Sequence, residues 1–326
     1  MGTLNRMAVL LLPLSLSLWH PAGTAQEYPQ RSVRIVVGFA AGSGLDLTTR
    51  LVGQRLSASW GQPVIIDNRA GAAGTLAAAI VAKATPDGYT LLNAATAHVV
   101  SASLNPNLAY DFVKDLAPIT RLGTTPYLMA VNLMVPANSV QEFIALAKSR
   151  PGKMNYGSSG NGTVAHLAGE MLKLQAGIDL VHIPYKGANL VVADMLGGQV
   201  DMMFNTFASL LHFVKAGKLR GLGVASPKRT VWLPEVPTMA EAGLPDFEAE
   251  NWHGYAAPAG TPQPVIDRIY RDIARIVDTS EARERLLAMG LVPDTTAPTP
   301  EQFGAMIKRD LARYAIAIKA AGATAR

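Results

Sequence analysis

The chain has 326 residues, 49% of them apolar and 16% charged, with no Cys and a formal net charge of +5. At roughly 100–200 residues per domain this length fits about two domains, each able to bury a core without disulfide or metal staples. Absent cysteine excludes a thiol nucleophile, a thiolate metal site and a lipoprotein anchor. The scattered basic residues lack the dense stripe of a nucleic-acid surface.

In chain order, residues 1–25 read as a Sec-type signal peptide. Arg6 supplies the positive end, residues 7–18 the apolar stretch and Gly23-Thr24-Ala25 the cleavage site, leaving Gln26 as the mature N-terminus. Residues 33–38 predict a buried strand, 45–57 a helix, 64–66 a strand, 75–84 a helix and 89–93 a strand. A second series follows from about Leu128. It has a capping box at Ser139 to Glu142 and a helix to Arg150, then strands at 154–157, 180–183, 200–205 and 219–225. Helices over 163–175, 189–196 and 207–215 alternate with them. Residues 233–258 read as a helix-poor return connection with a short helix at 239–242, and 264–278, 281–288 and 300–320 as terminal helices. Such alternation predicts parallel sheets covered by helices.

Two strand–turn–helix junctions carry the chemistry. One runs from Phe39 and Ala40 through Ser43 and Gly44 to Asp46. The other runs from Tyr156 through Ser158, Ser159, Gly160, Gly162 and Thr163 to His166. Free amides and the positive end of a helix dipole converge at such junctions, glycine lets the main chain approach a ligand, and hydroxyls add donors, so an anion is the natural guest. Neither turn has the spacing of a P-loop, a dinucleotide fingerprint or a nucleophile elbow. An exported hydrolase using Ser158 or Ser159 with His166 and Asp46 is the alternative in another function class. No histidine pair has metal-ligand spacing, so neither metal nor cofactor is expected.

The chain also resembles the receptors of tripartite tricarboxylate transporters, the Bug receptors. The likeness is carried by Tyr28-Pro29-Gln30-Arg31, Asn68-Arg69-Ala70-Gly71-Ala72-Ala73-Gly74 and Pro86-Asp87-Gly88-Tyr89-Thr90-Leu91-Leu92. It continues in Pro184-Tyr185-Lys186-Gly187, Leu196-Gly197-Gly198-Gln199-Val200-Asp201 and Leu233-Pro234-Glu235-Val236-Pro237-Thr238. The resemblance implies a two-lobe periplasmic-binding-protein fold, type II-like, each lobe a mainly parallel sheet flanked by helices. It implies a first lobe in residues 26–127, a second in 128–250 and a return of 251–326 to the first. It implies a periplasmic monomer without enzymatic activity that closes on a small organic carboxylate and presents it to membrane subunits or to a sensor ectodomain. In relatives the first loop commonly reads Pro-Gly-Gly-Gly-Thr-Asp. Here Ala41, Ser43 and Leu45 replace the Pro, the middle Gly and the Thr, and Asn205 stands where many relatives have Asp. An amide tolerates a ligand's negative charge better than a carboxylate does. These departures favour a carboxylate with an apolar or aromatic body over a cationic amino acid.

Overall fold

The computed structural model describes residues 28–322; the expected signal segment lies outside the described residues. The Val/Ile-rich run forms β1 (Val33–Val37), buried along nearly its whole length. Helix α1 (Gly44–Trp60) starts where the Ser43 hydroxyl accepts the Asp46 amide and stops at left-handed Gly61, whose amide returns to the Ser57 carbonyl. Strand β2 (Val64–Asn68), helix α2 (Thr75–Ala82) and strand β3 (Thr90–Ala95) follow, and β1 pairs in parallel with both β2 and β3. Helix α3 (Thr96–Leu104) continues directly from β3, where the sequence pattern predicted no helix.

Strand β4 (Leu116–Asn132) then runs seventeen residues, twelve of them before the strand start read near Leu128. Its first part, to Pro126, pairs antiparallel with β9 (Glu250–Pro258); from Tyr127 it pairs with β7 (Met202–Thr206). The second sheet is built from α4 (Val140–Ser149), β5 (Asn155–Ser158), α5 (Val164–Ala176), β6 (Val181–Pro184), α6 (Ala188–Leu196), β7, α7 (Phe207–Lys215) and β8 (Leu219–Val224). Strand β5 lies parallel to β6 and β7, so each lobe keeps a three-strand parallel core, and the long crossing strands join the two antiparallel. The stretch 233–258, expected as a return connection with a short helix at 239–242, has turns rather than a helix at those positions and ends in β9, a central strand between β3 and β4. Helices α8 (Gln263–Val277) and α9 (Ser280–Ala288), strand β10 (Val292–Pro293) and helix α10 (Pro300–Ala321) complete the chain.

The registers decide where the strand ends point. Strand β4 runs antiparallel to β9 and β9 antiparallel to β3, so β4 is parallel to β1 and β3. Strands β7, β5 and β6 run the other way. Because the first half of β4 belongs to one sheet and the second half to the other, the carboxyl ends of the parallel strands face each other across the crossing. Ala95, ending β3, is level with His253 and so with Gly123 of β4, while Thr206, ending β7, is level with Tyr127. Four positions of strand separate them, about 13 Å at 3.3 Å per residue.

Behind the crossing one apolar cluster runs through both sheets, from Leu92 and Ala94 through Met129 to Phe204, under Phe303 and Tyr314 of α10. Trp252 of β9 anchors that helix: its ring meets Phe303 edge-on at 5.2 Å and its Nε1 donates to Asp310 at 2.9 Å. Helix α10 packs on α3 and also on α5 of the other sheet, so it spans both.

Candidate ligand site

The β1–α1 turn is shaped by a buried carboxylate. Asp46 accepts the Gly42 amide at 2.8 Å, the Asn68 Nδ2 at 2.9 Å and the Arg50 Nε at 2.9 Å. Desolvation pushes this carboxyl up, but the Arg50 guanidinium, the Gly42 amide and the Asn68 amide outweigh it and hold it below the usual carboxylate range. Both Asp46 oxygens are therefore committed to the loop. Asn68 Nδ2 also donates to the Phe39 carbonyl at 3.1 Å, and the Ser43 amide to Ala40 at 3.1 Å. The exposed amides of Ala40 and Ala41 find no acceptor among the described residues.

The β5–α5 turn is shaped by hydroxyls and imidazoles. The Thr163 hydroxyl accepts the His166 amide at 3.3 Å and donates to the Gly160 carbonyl at 2.8 Å. The Ser158 hydroxyl is fully buried, accepts the Gly160 amide at 3.2 Å and lies 2.7 Å from His182 Nε2. His166 Nδ1 accepts the Gly162 amide at 3.0 Å, so that nitrogen offers no proton to an anion. The Tyr156 ring is fully buried and its hydroxyl donates to Glu170 at 2.6 Å. Of the residues singled out in this loop, Ser159 keeps a hydroxyl without an intramolecular partner among the described residues. The amides of Ser159 and Asn161 are likewise unclaimed.

At the crossing itself lie two helix starts of another kind. Helices α1 and α5 are capped by Ser43 and Thr163, whereas α3 begins at Ala95 and α7 at Thr206 with no side-chain cap. Thr96 is pinned there: its hydroxyl donates to the Glu250 carbonyl at 3.1 Å and accepts the Trp252 amide at 2.8 Å. Asn205 folds over the start of α7, its Oδ1 accepting the Thr206 amide at 2.8 Å, and its buried Nδ2 has no partner among the described residues. A buried amide donor left empty costs about 1–3 kcal/mol unless something accepts from it. His98 supports the β3–α3 turn by accepting the Ala95 amide at 3.0 Å, between Phe112, stacked at 5.8 Å, and Phe39, edge-on at 6.3 Å. Burial pushes its pKa down to about 4, so this ring is neutral.

The topology thus brings Phe39, Ala40, Ser43 and Gly44 on one sheet towards Ser159, Gly160, Gly162, Thr163 and Asn205 on the other. Asp46, Tyr156, Ser158 and His166 stand behind them as supports. The hydrolase alternative needs Ser158 or Ser159, His166 and Asp46 together. Instead the Ser158 hydroxyl pairs with His182 and Asp46 pairs with Arg50 in the other lobe. Among the described residues no group of three His, Asp or Glu side chains could hold a metal ion. Sequence reasoning missed Ala95, Thr96, His98 and His182. The available signal was the position of Thr96 immediately after a predicted strand, where open α/β sheets place ligands.

Residues 48–323 match the family described as the tripartite tricarboxylate transporter family receptor. A solute-binding protein of that family from Polaromonas, solved without ligand, is 30% identical over 90% of this chain and 99% of its own, with a TM-score of 0.82. The Rpa4515 protein of R. palustris with adipate is 31% identical over 91% of this chain and 99% of its own, TM-score 0.73. MatC of Rhodopseudomonas palustris with bound malate is 32% identical over 89% and 100%, TM-score 0.69. At nearly equal identity the likeness is greater to the ligand-free structure than to the two carrying a ligand.

Proposed function

Because the chain belongs to the tripartite tricarboxylate transporter receptor family, we propose that it captures a small organic carboxylate between its lobes and presents it to the membrane subunits of such a transporter. The observation that carries this is a set of unclaimed donors at the carboxyl ends of parallel strands that the β4–β9 crossing turns towards one another. They are the Ala40, Ala41, Ser159 and Asn161 amides, the uncapped starts of α3 and α7, and the empty Nδ2 of Asn205. Each charge-assisted hydrogen bond to a carboxylate contributes about 1.5–3 kcal/mol. A few of them, after association and closure costs, correspond to micromolar binding near −8 kcal/mol. Relatives holding adipate and malate support the carboxylate assignment.

The lobes are residues 26–127 with 251–326, and 128–250, hinged where β4 and β9 cross. Closure about that hinge buries the ligand, and the nearer likeness to a ligand-free relative supports an open arrangement here. No helix among the described residues is long and apolar enough to cross a membrane. In this reading, which rests on the family and not on that absence, the receptor works as a monomer outside the cytoplasm after removal of residues 1–25. Leu45, Ser43 and Asn205 bias the site towards a carboxylate with an apolar or aromatic body.

Calorimetry with adipate, malate, an aromatic monocarboxylate and a set of amino acids tests the reading. Binding of at least one amino-free carboxylate is expected, weakened tenfold or more by Asn205→Asp, which sets a carboxylate against the ligand's own. Binding of amino acids alone, or turnover of ester substrates without carboxylate binding, overturns it.

A further inference from the structure

Beneath the β5–α5 loop lies a group of three rings that ligand capture, as described, leaves without a role. Tyr156 of β5, His166 of α5 and His182 of β6 pack nearly parallel. The two imidazoles stand 3.9 Å apart at 12°, and the Tyr156 ring lies 4.8 Å from His182 at 25°. The tyrosine fits only because residue 169 is glycine; a Cβ there would stand 2.1 Å from its Cε2. Around the group, Glu170 accepts from the Tyr156 hydroxyl at 2.6 Å and from Lys173 at 3.1 Å.

Each imidazole holds one glycine of the loop. His166 Nδ1 takes the Gly162 amide directly, and His182 Nε2 fixes the Ser158 hydroxyl that takes the Gly160 amide. Gly160 and Gly162 have φ of 136° and 72°, so the chain can turn these alternate amides down onto the rings. The Ser159 and Asn161 amides are thereby left for the cleft. The Gly162 bond requires an unprotonated Nδ1 on His166, and two parallel imidazoles this close repel strongly if both are charged. Burial lowers the pKa of both. His182 is taken to about 4, where neighbouring His166 and Lys173 add to the effect and Glu170 opposes it; on His166 Glu170 opposes and Lys173 adds.

We propose that His166 and His182 are positioning residues of the ligand loop, a stacked pair in which His166 holds Gly162 only while it is uncharged, so that carboxylate capture fails on acidification. The effect on capture rests on the receptor reading above; the effect on the loop does not.

The test has a ligand-free arm and a binding arm. Without ligand, amide exchange is read at Gly160 and Gly162, corrected for intrinsic rates. His166→Phe is expected to lower Gly162 protection at least tenfold, and His166→Asn, whose Oδ1 can replace Nδ1 as acceptor, to restore most of it. In the unmodified protein, imidazole 15N shifts followed from pH 7.5 to 4 should show both rings gaining their protons below the usual imidazole range, with Gly162 protection falling as His166 gains its proton. In the binding arm, the ratio of adipate affinity between the unmodified protein and His166→Asn cancels titration of adipate itself. It should fall at least fivefold between pH 6.5 and 4. Unchanged Gly162 protection in His166→Phe, or protonation of His166 with no change in protection, overturns the proposal. If adipate and the other carboxylates bind neither protein, the receptor reading fails and the exchange arm still decides the role of the rings.

Discussion

The two loops that face each other across the crossing look alike in sequence, both Gly- and Ser-rich between strand and helix, yet they are held by opposite chemistry. The β1–α1 turn is built on an ionised carboxylate, Asp46, with a guanidinium, a carboxamide and a backbone amide around it. The β5–α5 turn is built on neutral rings and hydroxyls, His166, His182, Tyr156, Ser158 and Thr163. The first leaves the adjacent amides of Ala40 and Ala41 free, the second the alternate amides of Ser159 and Asn161. The difference teaches that a turn which leaves some amides free needs its remaining donors satisfied, and that either a fixed charge or a neutral acceptor can do it. The two solutions fail under different conditions.

The largest effect should come from removing the charged support. Asp46→Ala strands the Gly42 amide, the Asn68 carboxamide and Arg50, and is expected to destabilise by about 3 kcal/mol, read by urea unfolding. A loss below 1 kcal/mol would mean the carboxylate does not organise its turn. Next, Gly169→Ala drives a methyl into the Tyr156 ring under the other loop. Overpacking of this kind costs about 1–3 kcal/mol. It should also raise amide exchange at residues 159–162 while leaving 40–42 unchanged.

Acid separates the loops without mutation. Burial holds His98, His182 and His253 near 4, against about 6.5 when unfolded. The unfolded chain therefore binds more protons, and stability is complete above pH 6.5 and falls as pH drops through 4. Each such group contributes a slope of at most about 1.4 kcal/mol per pH unit. Glu250, at the crossing, has the opposite sign. Desolvation, opposed by Arg121, Thr124 and Arg313 and reinforced by Glu248, pushes it up to about 7. Its stabilising contribution is present at low pH and is lost as pH rises through 7. The melting temperature should peak between about pH 6 and 7. Glu250→Gln should remove the decline on the alkaline side alone. Asp46, held below the usual carboxylate range, keeps its charge and its turn on mild acidification, so the β5–α5 loop should loosen first.

The smallest effects are the caps. Ser43→Ala and Thr163→Ala each remove one hydroxyl that accepts a helix amide, worth about 1 kcal/mol. The Thr163 change should be the larger, because that hydroxyl also holds the Gly160 carbonyl. Equal losses by thermal unfolding would show that the second bond adds nothing.

Most of the helices were legible because each carries its own punctuation. Residues 207–215 and 300–320 were read almost to the residue, the latter from Pro300 and the periodic face behind it. Helix α3 was not, since Thr96 follows β3 without a turn and Ala95 is no cap. Strand β9 was missed for another reason. Glu250, Asn251, His253 and Gly254 do not resemble a central strand, but β3 and β4 on either side supply every ladder partner. For the candidate site, the pattern of Gly and Ser marked two turns between strand and helix, and could not say which side chains face outward. Asp46, Ser158 and His166 were chosen as donors or acceptors for a ligand, and each is engaged inward by partners distant in sequence or by its own turn.

Local sequence determined the helix starts and stops, the parallel strand runs and the presence of two amide-rich turns, because those depend on propensities and hydrogen bonds within a few residues. Tertiary structure alone decided that the turns oppose each other, since this follows from β4 passing from one sheet to the other and reversing the direction of its neighbours. It decided too that two histidines sixteen residues apart share a stack, as only the pairing of β5 with β6 carries His182 alongside the helix that holds His166.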